Sequence, residues 1–298
     1  MNILIIGSSG FIGSNAVAYF HGKGVNVFSS DIFSEELSNH NFFLLNDKDP
    51  DFDSLFSTQK YDLCINASGA ATVNYSITNP MLDHRLNVMN VFKILEAIRV
   101  NNPACKFLNF SSAAVYGNPQ VLPVAENSSF NPLSPYGYHK LIAEKVCEEY
   151  FKLFGIPTCS LRVFSAYGPK LKKQLFWDVY KKTNSGKVIE MHGTGKETRD
   201  FIYIEDLMQA IDIIVQSNLF QGNVFNVSSG IETTIEHAVR KFLDIIKPEA
   251  VIKFNGITRE GDPINWRADI SLIKSYGFFP KVELVSGLNK YWQWLNSI

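Results

Sequence analysis

A tyrosine and a lysine four residues apart are well suited to proton transfer. Tyr136 and Lys140 follow Pro135 at positions i and i+4 of a helix that the pattern predicts to run through Phe154, so both side chains share one helix face. A free phenol, with a pKa of about 10, is a poor base at neutral pH. An ammonium group a few ångströms away favours the phenolate, so this pair could exchange a proton with a substrate hydroxyl during hydride transfer.

A serine pair precedes this helix at the end of a predicted strand. Ser111 ends the strand predicted at Cys105–Ser111 and, with Ser112, opens the run Ser-Ser-Ala-Ala-Val-Tyr-Gly, about 25 residues before Tyr136. Ligands of doubly wound sheets bind outside the carboxyl ends of the strands. A serine hydroxyl there could bond the reacting oxygen and relay its proton. A Tyr-x-x-x-Lys pair alone occurs by chance on many helices, and this context strengthens it.

Three glycines follow the first predicted strand and open a helix. Gly7, Gly10 and Gly13 have the spacing Gly-x-x-Gly-x-x-Gly, with Phe11 and Ile12 between the last two. Glycine there permits a tight turn, backbone approach to a pyrophosphate and close helix–strand packing, while the helix N-terminus favours an anion. The alternative is a purely structural turn.

A carboxylate at the end of the second strand supports the dinucleotide interpretation. Asp31 lies 18 residues after Gly13, where it would accept hydrogen bonds from the adenosine ribose and repel a 2′-phosphate. Ile32 rather than an arginine follows it, which favours NAD over NADP. Asp47, after the third strand, could contact the adenine or could be a solvated loop residue, and the sequence leaves both open.

Strands alternate with helices over the first half of the chain. A helix begins at Asn79-Pro80, and an apolar stripe is predicted to bury one of its faces. The stripe is Val88, Val91, Phe92, Leu95 and Ile98. The strands are predicted at Ile3–Ile6, Val25–Asp31, Phe42–Leu45, Asp62–Asn66, Cys105–Ser111 and Thr158–Val163. This alternation predicts a parallel sheet covered on both faces, hence an α/β protein of the Rossmann type.

The second half is less regular and predicts a smaller α/β lobe. It contains a helix opened by the capping-box pattern Thr233-x-x-Glu236. We therefore expect residues 1–168 to form a dinucleotide-binding domain that carries the catalytic residues. Residues 169–298 form the substrate lobe, with some C-terminal segments returning to the first domain.

Composition and charge exclude several classes of protein. The chain has 298 residues, 46% of them apolar, and a formal net charge of −1, which gives no broad electrostatic surface for nucleic acid or an anionic membrane. Cys64, Cys105, Cys147 and Cys159 lie far apart in apolar runs, which predicts buried free thiols rather than disulfides or a metal site. No apolar run is long enough to cross a membrane, and the N-terminus is predicted as a strand, not a signal peptide. We expect a cytoplasmic protein.

Taken together, these motifs resemble the extended short-chain dehydrogenase/reductases, in particular the nucleotide-sugar epimerase/dehydratase family. The resemblance rests on the glycine triad, Asp31, the run 66–71, the Ser-Ser-Ala-Ala-Val-Tyr-Gly run and the Tyr136/Lys140 pair. It continues in the runs 161–169, 193–203 and 259–263, and so covers nearly the whole chain.

The resemblance implies a role for each matching residue. Ser112, Tyr136 and Lys140 would be catalytic, and Lys140 would also hold the nicotinamide ribose. Arg199 and Arg259 would clamp the substrate diphosphate, which suits bidentate guanidinium groups, although each precedes a carboxylate and could form a surface ion pair. NAD contacts are expected from Gly7, Gly10, Phe11, Ile12, Gly13, Asp31, Asp47, Ala67, Ser68, Tyr136, Lys140 and Phe164, and substrate contacts from Ser112, Tyr136, Ser165, Arg199 and Arg259.

Departures from the family pattern narrow the reaction. Dehydratases of the family carry Asp-Glu where this chain has Ala113-Ala114, so water elimination is not expected, and the cysteine of the GDP-fucose synthase branch is also missing there. Ser165 replaces an asparagine that touches the substrate phosphate in many relatives. The run 172–177 could cover the nucleotide or sugar, or its aromatic residues could be core.

Three functions remain. The first is an NAD-dependent nucleotide-sugar epimerase, acting at C4 through a transient 4-keto intermediate and serving polysaccharide biosynthesis. The second is an NAD(P)H-dependent reductase of an NDP-4-keto-6-deoxyhexose, and the third is a catalytically silent NAD-binding protein. Asp31 favours the epimerase, and a homodimer is expected through the 80–100 and 136–154 helices.

Overall fold

A computed structural model describes residues 1–33, 41–184, 186–257, 261 and 263–298. The strands are β1 (Asn2–Ile6), β2 (Asn26–Asp31), β3 (Phe42–Leu44), β4 (Leu63–Asn66), β5 (Lys106–Ser112), β6 (Thr158–Val163), β7 (Ser165–Tyr167), β8 (Val188–Met191), β9 (Thr198–Tyr203), β10 (Gln221–Val227), β11 (Glu232–Thr234) and β12 (Val251–Phe254). The α-helices are α1 (Phe11–Gly22), α2 (Phe52–Thr58), α3 (Val73–Thr78), α4 (Pro80–His84), α5 (Asn90–Asn101), α6 (Pro135–Phe154), α7 (Gln174–Thr183), α8 (Ile204–Gln216), α9 (Ile235–Ile246), α10 (Ser271–Lys274) and α11 (Leu284–Leu295). A π-helix (Arg85–Met89) joins α4 to α5, and a 3₁₀-helix (Ala113–Tyr116) follows β5.

Within the described ranges, seven strands form one sheet in the order β10-β6-β5-β4-β1-β2-β3. β1 pairs in parallel with β2 on one side and β4 on the other, in a register that sets Ile3 opposite Val27 and Leu63. The strand order reverses beside β1, as in doubly wound dinucleotide-binding sheets. The predicted Rossmann-type α/β fold is confirmed.

The core of this sheet follows the apolar runs of the sequence. Ile3–Ile6 are buried because both faces of a parallel sheet are covered. On α5 the buried stripe runs through Val91, Leu95 and Ile98, as predicted, but it also includes Ile94. Phe92 is 40% exposed, so the prediction is wrong for this residue, because the buried face is centred on the other side of Val91.

The chain divides into two units. Unit 1 comprises residues 1–115, 134–162 and 212–225, and unit 2 comprises 116–133, 163–211 and 226–298, as far as the chain is described. Unit 1 holds strands β1 to β5, nearly all of β6 and most of β10 of the large sheet, together with helices α1 to α6. Unit 2 contains a three-stranded sheet in the order β11-β9-β7 and the parallel pair β12-β8.

The core of unit 2 is rich in aromatic residues. Phe176 of α7 is buried, and its ring contacts those of Tyr167, Phe201 and Phe242. Phe176, one of the aromatic residues of the run 172–177, is therefore a core residue, which is one of the two alternatives that the sequence left open.

Two smaller predictions concern the N-cap of helix α9 and the four cysteines. The N-cap of α9 is Thr234, whose hydroxyl accepts a hydrogen bond of 3.2 Å from the His237 N–H. The predicted cap, Thr233, is wrong because helix α9 begins at Ile235, which places Thr234 in the N-cap position. All four cysteines are buried free thiols, as predicted. In the described segments, none of the helices has the length and apolar character needed to cross a bilayer.

Candidate functional site

The glycine-rich turn lies where β1 ends and α1 begins. Gly7 has φ +81°, a left-handed conformation, and a Cβ there would lie 2.6 Å from the Ser68 backbone nitrogen. A Cβ on Gly13 would lie 2.0 Å from the Gly7 carbonyl oxygen. Internal packing therefore requires both residues. Gly10 is different, because it is exposed and its Cβ would meet only the Gly7 oxygen, at 3.3 Å. Its position leaves the backbone open to a ligand.

The amino end of α1 begins at Phe11, directly after this turn. Gly10 is its N-cap and supplies no side-chain cap, so the end of the helix presents backbone N–H groups to an anion. The neighbouring Ser8 and Ser9 hydroxyls are buried, with no hydrogen-bond partner in the described part of the chain. These unpartnered polar groups suit a phosphate-bearing ligand.

Asp31 ends β2 beside the same turn. Its carboxylate accepts hydrogen bonds from the backbone N–H groups of Ser9 at 2.9 Å and Ile32 at 2.7 Å. The carboxylate thus fixes the glycine-rich turn, and it is at the position where a ribose would be recognised.

The turn after β4 lies against the first turn. Ala67 N–H bonds the Ile6 carbonyl at 2.8 Å, and the Ser68 hydroxyl bonds Asn66 Oδ1 at 2.6 Å. A Cβ on Gly69 would lie 2.6 Å from the Oδ1 of Asn87, whose amide is buried with neither polar atom partnered by any described residue. An orphaned amide beside a glycine is the kind of feature that a bound polar group would complete.

The carboxyl end of β5 carries Ser112. Its hydroxyl accepts a hydrogen bond of 3.2 Å from the Ala114 N–H, in a 3₁₀-helix where Ala113 and Ala114 are both buried. Ser112 also hydrogen-bonds the Tyr136 phenol.

Helix α6 positions the tyrosine and the lysine. Ser134 caps the helix by accepting a hydrogen bond of 3.3 Å from Gly137 N–H, and Pro135 occupies the first turn. The Nζ of Lys140 donates to the Phe110 carbonyl at 2.9 Å and lies 5.8 Å from the centre of the Tyr136 ring. The structure therefore brings Ser112, Tyr136 and Lys140 together at one end of the sheet.

Burial has the largest effect on the pKa values of Tyr136 and Lys140. It raises the pKa of Tyr136 to about 12, against the opposing hydrogen bond from Ser112. It lowers the pKa of Lys140 to about 8, against the attraction of Asp83. The expectation that the ammonium group lowers the phenol pKa is wrong for the chain alone, because desolvation disfavours both charged forms.

A buried ion pair lies behind Lys140 on the same helix. Glu144 accepts hydrogen bonds from Arg162 Nε at 2.9 Å and Nη2 at 2.7 Å, and it also accepts one from the Ser111 hydroxyl. Both charged side chains are almost fully buried. The network ties α6 to β6 and to the residue preceding Ser112.

The predicted residues of unit 2 occupy distinct surroundings. The Phe164 ring is buried and contacts the rings of Tyr116 and Trp266, and Ser165 opens β7. Arg199, on β9, lies 5.4 Å from the Trp266 ring centre and donates to the Thr198 carbonyl at 2.7 Å.

Asp200, the carboxylate next to Arg199, is bound within the core of unit 2. It accepts hydrogen bonds from both Ser228 and Ser229 hydroxyls and from the N–H groups of Gly230 and Ala268. Burial raises the pKa of Asp200 despite these bonds.

Two predicted residues remain without support. Asp47 is 61% exposed, and its carboxylate lies 3.9 Å from the Arg85 guanidinium, which fits a solvated loop residue. Arg259 lies outside the described residues.

Sequence reasoning missed Asn87, Glu144 and Arg162. An asparagine between apolar helix positions is a faint signal of a buried polar role, but nothing local pairs Glu144 with a residue 18 positions later.

Comparisons with known proteins agree with this geometry. The model of the family described as "NAD dependent epimerase/dehydratase family" matches residues 3–228. The uncharacterized UDP-glucose epimerase YtcB of Bacillus subtilis is 31% identical over 319 residues, covering 100% of this chain and 99% of its own.

Solved structures of similar proteins cover the whole fold. UDP-glucuronic acid 4-epimerase of Bacillus cereus, in complex with UDP-glucuronic acid and NAD, is 27% identical with a TM-score of 0.90, covering 100% of this chain and 99% of that one. UDP-N-acetylglucosamine 4-epimerase of Methanobrevibacter ruminantium is 25% identical with a TM-score of 0.88, covering 99% and 98%.

Proposed function

The chain belongs to the NAD-dependent epimerase/dehydratase family, and from this premise we propose that it is a nucleotide-sugar epimerase that inverts C4 of a UDP-hexose. One observation carries the proposal: Ser112, Tyr136 and Lys140 meet at the end of β5 beside two buried alanines. Similarity to a UDP-glucose epimerase and to two UDP-sugar 4-epimerases supports the choice of reaction and nucleotide.

The cofactor site fits NAD. The open backbone at Gly10 and the amino end of α1 would hold the pyrophosphate, and Asp31 would bind the adenosine ribose. Ser68 lies beside Gly7, and the Asn87 amide lies beside Gly69 in the turn that follows β4. When bound, NAD⁺ supplies a hydride acceptor and a positive charge.

Tyr136, assisted by Ser112 and Lys140, would transfer the proton of the substrate hydroxyl. Tyr136, hydrogen-bonded by Ser112, would take the proton of the C4 hydroxyl and later return it to the same oxygen. Its phenol is protonated in the chain alone, so it needs a nearby positive charge to become a base. Lys140 provides part of that charge and is held by the Phe110 carbonyl.

The substrate diphosphate is assigned to unit 2. Arg199 presents a guanidinium whose Nη1 is held by a backbone carbonyl and whose plane lies near the Trp266 ring. Such a pre-oriented fork suits a diphosphate. By the same resemblance Arg259 would be its partner, and Ser165 a weaker phosphate contact than an asparagine.

The buried alanines argue against a dehydratase. Ala113 and Ala114 have no proton to give or take, and their burial leaves little room for a side chain that could. The competing activity is a reductase of a 4-keto-6-deoxy sugar, which uses the same three residues once per turnover.

The deciding experiment follows the hydride. UDP-hexoses carrying deuterium at C4 are incubated with the purified protein without added NADH, and the products are analysed by mass spectrometry and NMR. We expect the C4 epimer with the deuterium retained, because the hydride leaves from and returns to the same carbon. Rapid NAD(P)H oxidation on a 4-keto-6-deoxy sugar, with no epimer from any UDP-, dTDP-, GDP- or CDP-hexose, would instead identify a reductase.

We further propose that the protein forms a homodimer through α5 and α6. Both helices expose large apolar side chains, which an isolated unit would leave in water. These residues are Phe92, Val100, Tyr138, Ile142, Leu153 and Phe154, and the exposed Met89 at the end of the π-helix adjoins α5. Sedimentation should give a dimer for the native chain and a monomer for Ile142→Lys, while Ile257→Lys, at an exposed site of unit 2, should leave the dimer unchanged. A cytoplasmic location and a role in polysaccharide biosynthesis complete the proposal.

A further inference from the structure

A buried carboxylate and an imidazole form a close pair beside the proposed catalytic residues. The Oδ2 of Asp83 lies 2.6 Å from Nδ1 of His139, and the Asp83 side chain is 0% exposed. Asp83 is in the last turn of α4, directly before the π-helix, while His139 lies on α6 between Tyr136 and Lys140. The pair therefore joins two elements at the first turns of the helix that carries the chemistry.

The surroundings of Asp83 call for a positive charge. Its second oxygen, Oδ1, has no hydrogen-bond partner within the described ranges. A fully buried carboxylate with one partner is stable when that partner is a cation, because the Coulomb attraction offsets the desolvation. An imidazolium at His139 meets this need.

The elements that pack against α6 carry other titratable groups. The ring of His84 contacts the ring of His139 edge-on, with centres 5.1 Å apart. The π-helix carries Arg85, which lies near Asp47, and α3, which also packs on α6, carries Tyr75 and no charged residue. On α6 itself the titratable neighbours in sequence are Tyr136, Tyr138 and Lys140, and the elements α5 and β5, which also pack on α6, carry Lys93, Glu96, Arg99 and Lys106.

The field of Asp83 reaches both of these residues. Asp83 raises the pKa of Tyr136 and also that of Lys140, in the second case against a larger desolvation effect. A negative charge at this place thus keeps the lysine cationic and the phenol protonated.

We propose that Asp83 and His139 form an ion pair that acts as a positioning pair for the reaction. It fixes the start of α6 against α4, the helix that leads into the π-helix, and sets the charge balance of Tyr136 and Lys140. The kinetic part of this inference rests on the proposed epimerase function, whereas the existence of the ion pair does not.

The first experiment needs no substrate. NMR of the ¹⁵N-histidine-labelled protein at about pH 7, with the His139 signals assigned by their loss in His139→Gln, should show an imidazolium with both ring nitrogens protonated. A neutral His139 ring would overturn the proposal, whatever the protein's activity.

The second experiment uses the C4-epimerase assay across pH. Asp83→Asn should lower kcat about tenfold to a hundredfold with little change in KM, as for a misplaced catalytic group. The pH profile of kcat should move to higher pH in His139→Gln, because the Asp83 charge then lacks its counter-ion and raises the pKa values of Tyr136 and Lys140 more strongly. A merely structural role would not shift the profile, so a profile that stays in place overturns the proposal.

A double-mutant cycle and a matched control complete the test. If the residues act as a pair, Asp83→Asn combined with His139→Gln should be no slower than the slower single variant, and multiplying losses would contradict the pairing. Glu148→Gln removes the charge of a half-buried carboxylate on α6 that is paired with Lys145 and Lys152, and it should leave kcat and its pH profile unchanged. If Asp83→Asn does not fold, His139→Gln and the NMR measurement still decide. A native protein that epimerises no nucleotide sugar refutes the proposed function and leaves the NMR result to decide the ion pair.

Discussion

The carboxylate of Asp31 accepts a hydrogen bond of 2.9 Å from the backbone N–H of Ser9, two residues after the first glycine of the turn. The residue expected to recognise the ribose therefore also holds the loop expected to bind the pyrophosphate. An alanine at position 31 would remove both functions at once, whereas an asparagine keeps an oxygen that can accept from the backbone.

Asp31→Asn should weaken NAD binding by about 1.5–3 kcal/mol, which is typical of a lost charge-assisted hydrogen bond. NADP binding should weaken less or improve, because the carboxylate that repels a 2′-phosphate is gone. Calorimetric titration of both cofactors measures the two changes. Asp49→Asn, at an exposed residue paired with Lys93, serves as the control and should change neither affinity. Equal weakening of both cofactors would show that Asp31 does not contact the ribose.

Tyr136→Phe should lower kcat by roughly 10²–10⁴-fold, the usual contribution of a general acid–base residue, with NAD affinity nearly unchanged. Tyr138→Phe is a matched control, since Tyr138 lies two residues further along α6 and is 54% exposed. Steady-state kinetics with the true substrate measure both. A Tyr136→Phe variant with near-normal turnover would exclude proton transfer through this phenol.

Lys140→Met should abolish turnover and weaken NAD binding, and it should also change how stability depends on pH. The folded-state pKa of Lys140, about 8, lies below its ordinary value of 10.5. The unfolded chain therefore binds more protons between these values, and the lysine's contribution to stability is present above 10.5 and is lost as the pH falls through about 8.

The free energy of unfolding of Lys140→Met, relative to that of the native chain, should therefore be higher at neutral pH than at about pH 9.5, by about 2 kcal/mol. Urea unfolding at the two pH values measures this difference, and the packing change of the substitution cancels in it. Lys145→Met, at an exposed position of α6, should show no such pH dependence. The same absence in Lys140→Met would mean that the buried amine keeps its ordinary proton affinity.

Arg162→Met should destabilise the protein by about 3–5 kcal/mol, because it leaves the Glu144 carboxylate buried without its cation. Replacing both residues with methionine should cost less than this single change, since no unpaired charge remains. Chemical unfolding of the two variants gives the comparison. A double variant less stable than Arg162→Met would show that the ion pair itself stabilises the fold.

The sequence patterns predicted those features of the fold and site that depend on short stretches of the chain. The apolar runs, the glycine spacing and the i, i+4 relation of Tyr136 and Lys140 each depend on a few neighbouring residues, and the fold they predicted is confirmed. The π-helix at Arg85–Met89 was not predicted, because one extra residue in a turn leaves no distinct pattern.

Long-range features were beyond sequence reasoning for a physical reason. The proton affinity of Tyr136 depends on how deeply tertiary packing buries it, and its direction was predicted wrongly. The pairing of Glu144 with Arg162 joins a helix to a later strand, and neither charge carries a sign of its partner. The roles of the individual site residues stay predictions that the experiments above can test.

Unit 1 is completed by residues 212–225, which are synthesised after the segments 116–133 and 163–211 of unit 2. This order affects how the chain folds during its synthesis. Strand β6 is made about sixty residues before β10, its neighbour at the outer end of the large sheet. Until the ribosome has released that stretch, β6 presents a buried-type apolar strand with one unpaired hydrogen-bonding edge, which is a template for aggregation. A nascent chain truncated after residue 211 should therefore be held by chaperones or precipitate, although every proposed catalytic residue has already been made.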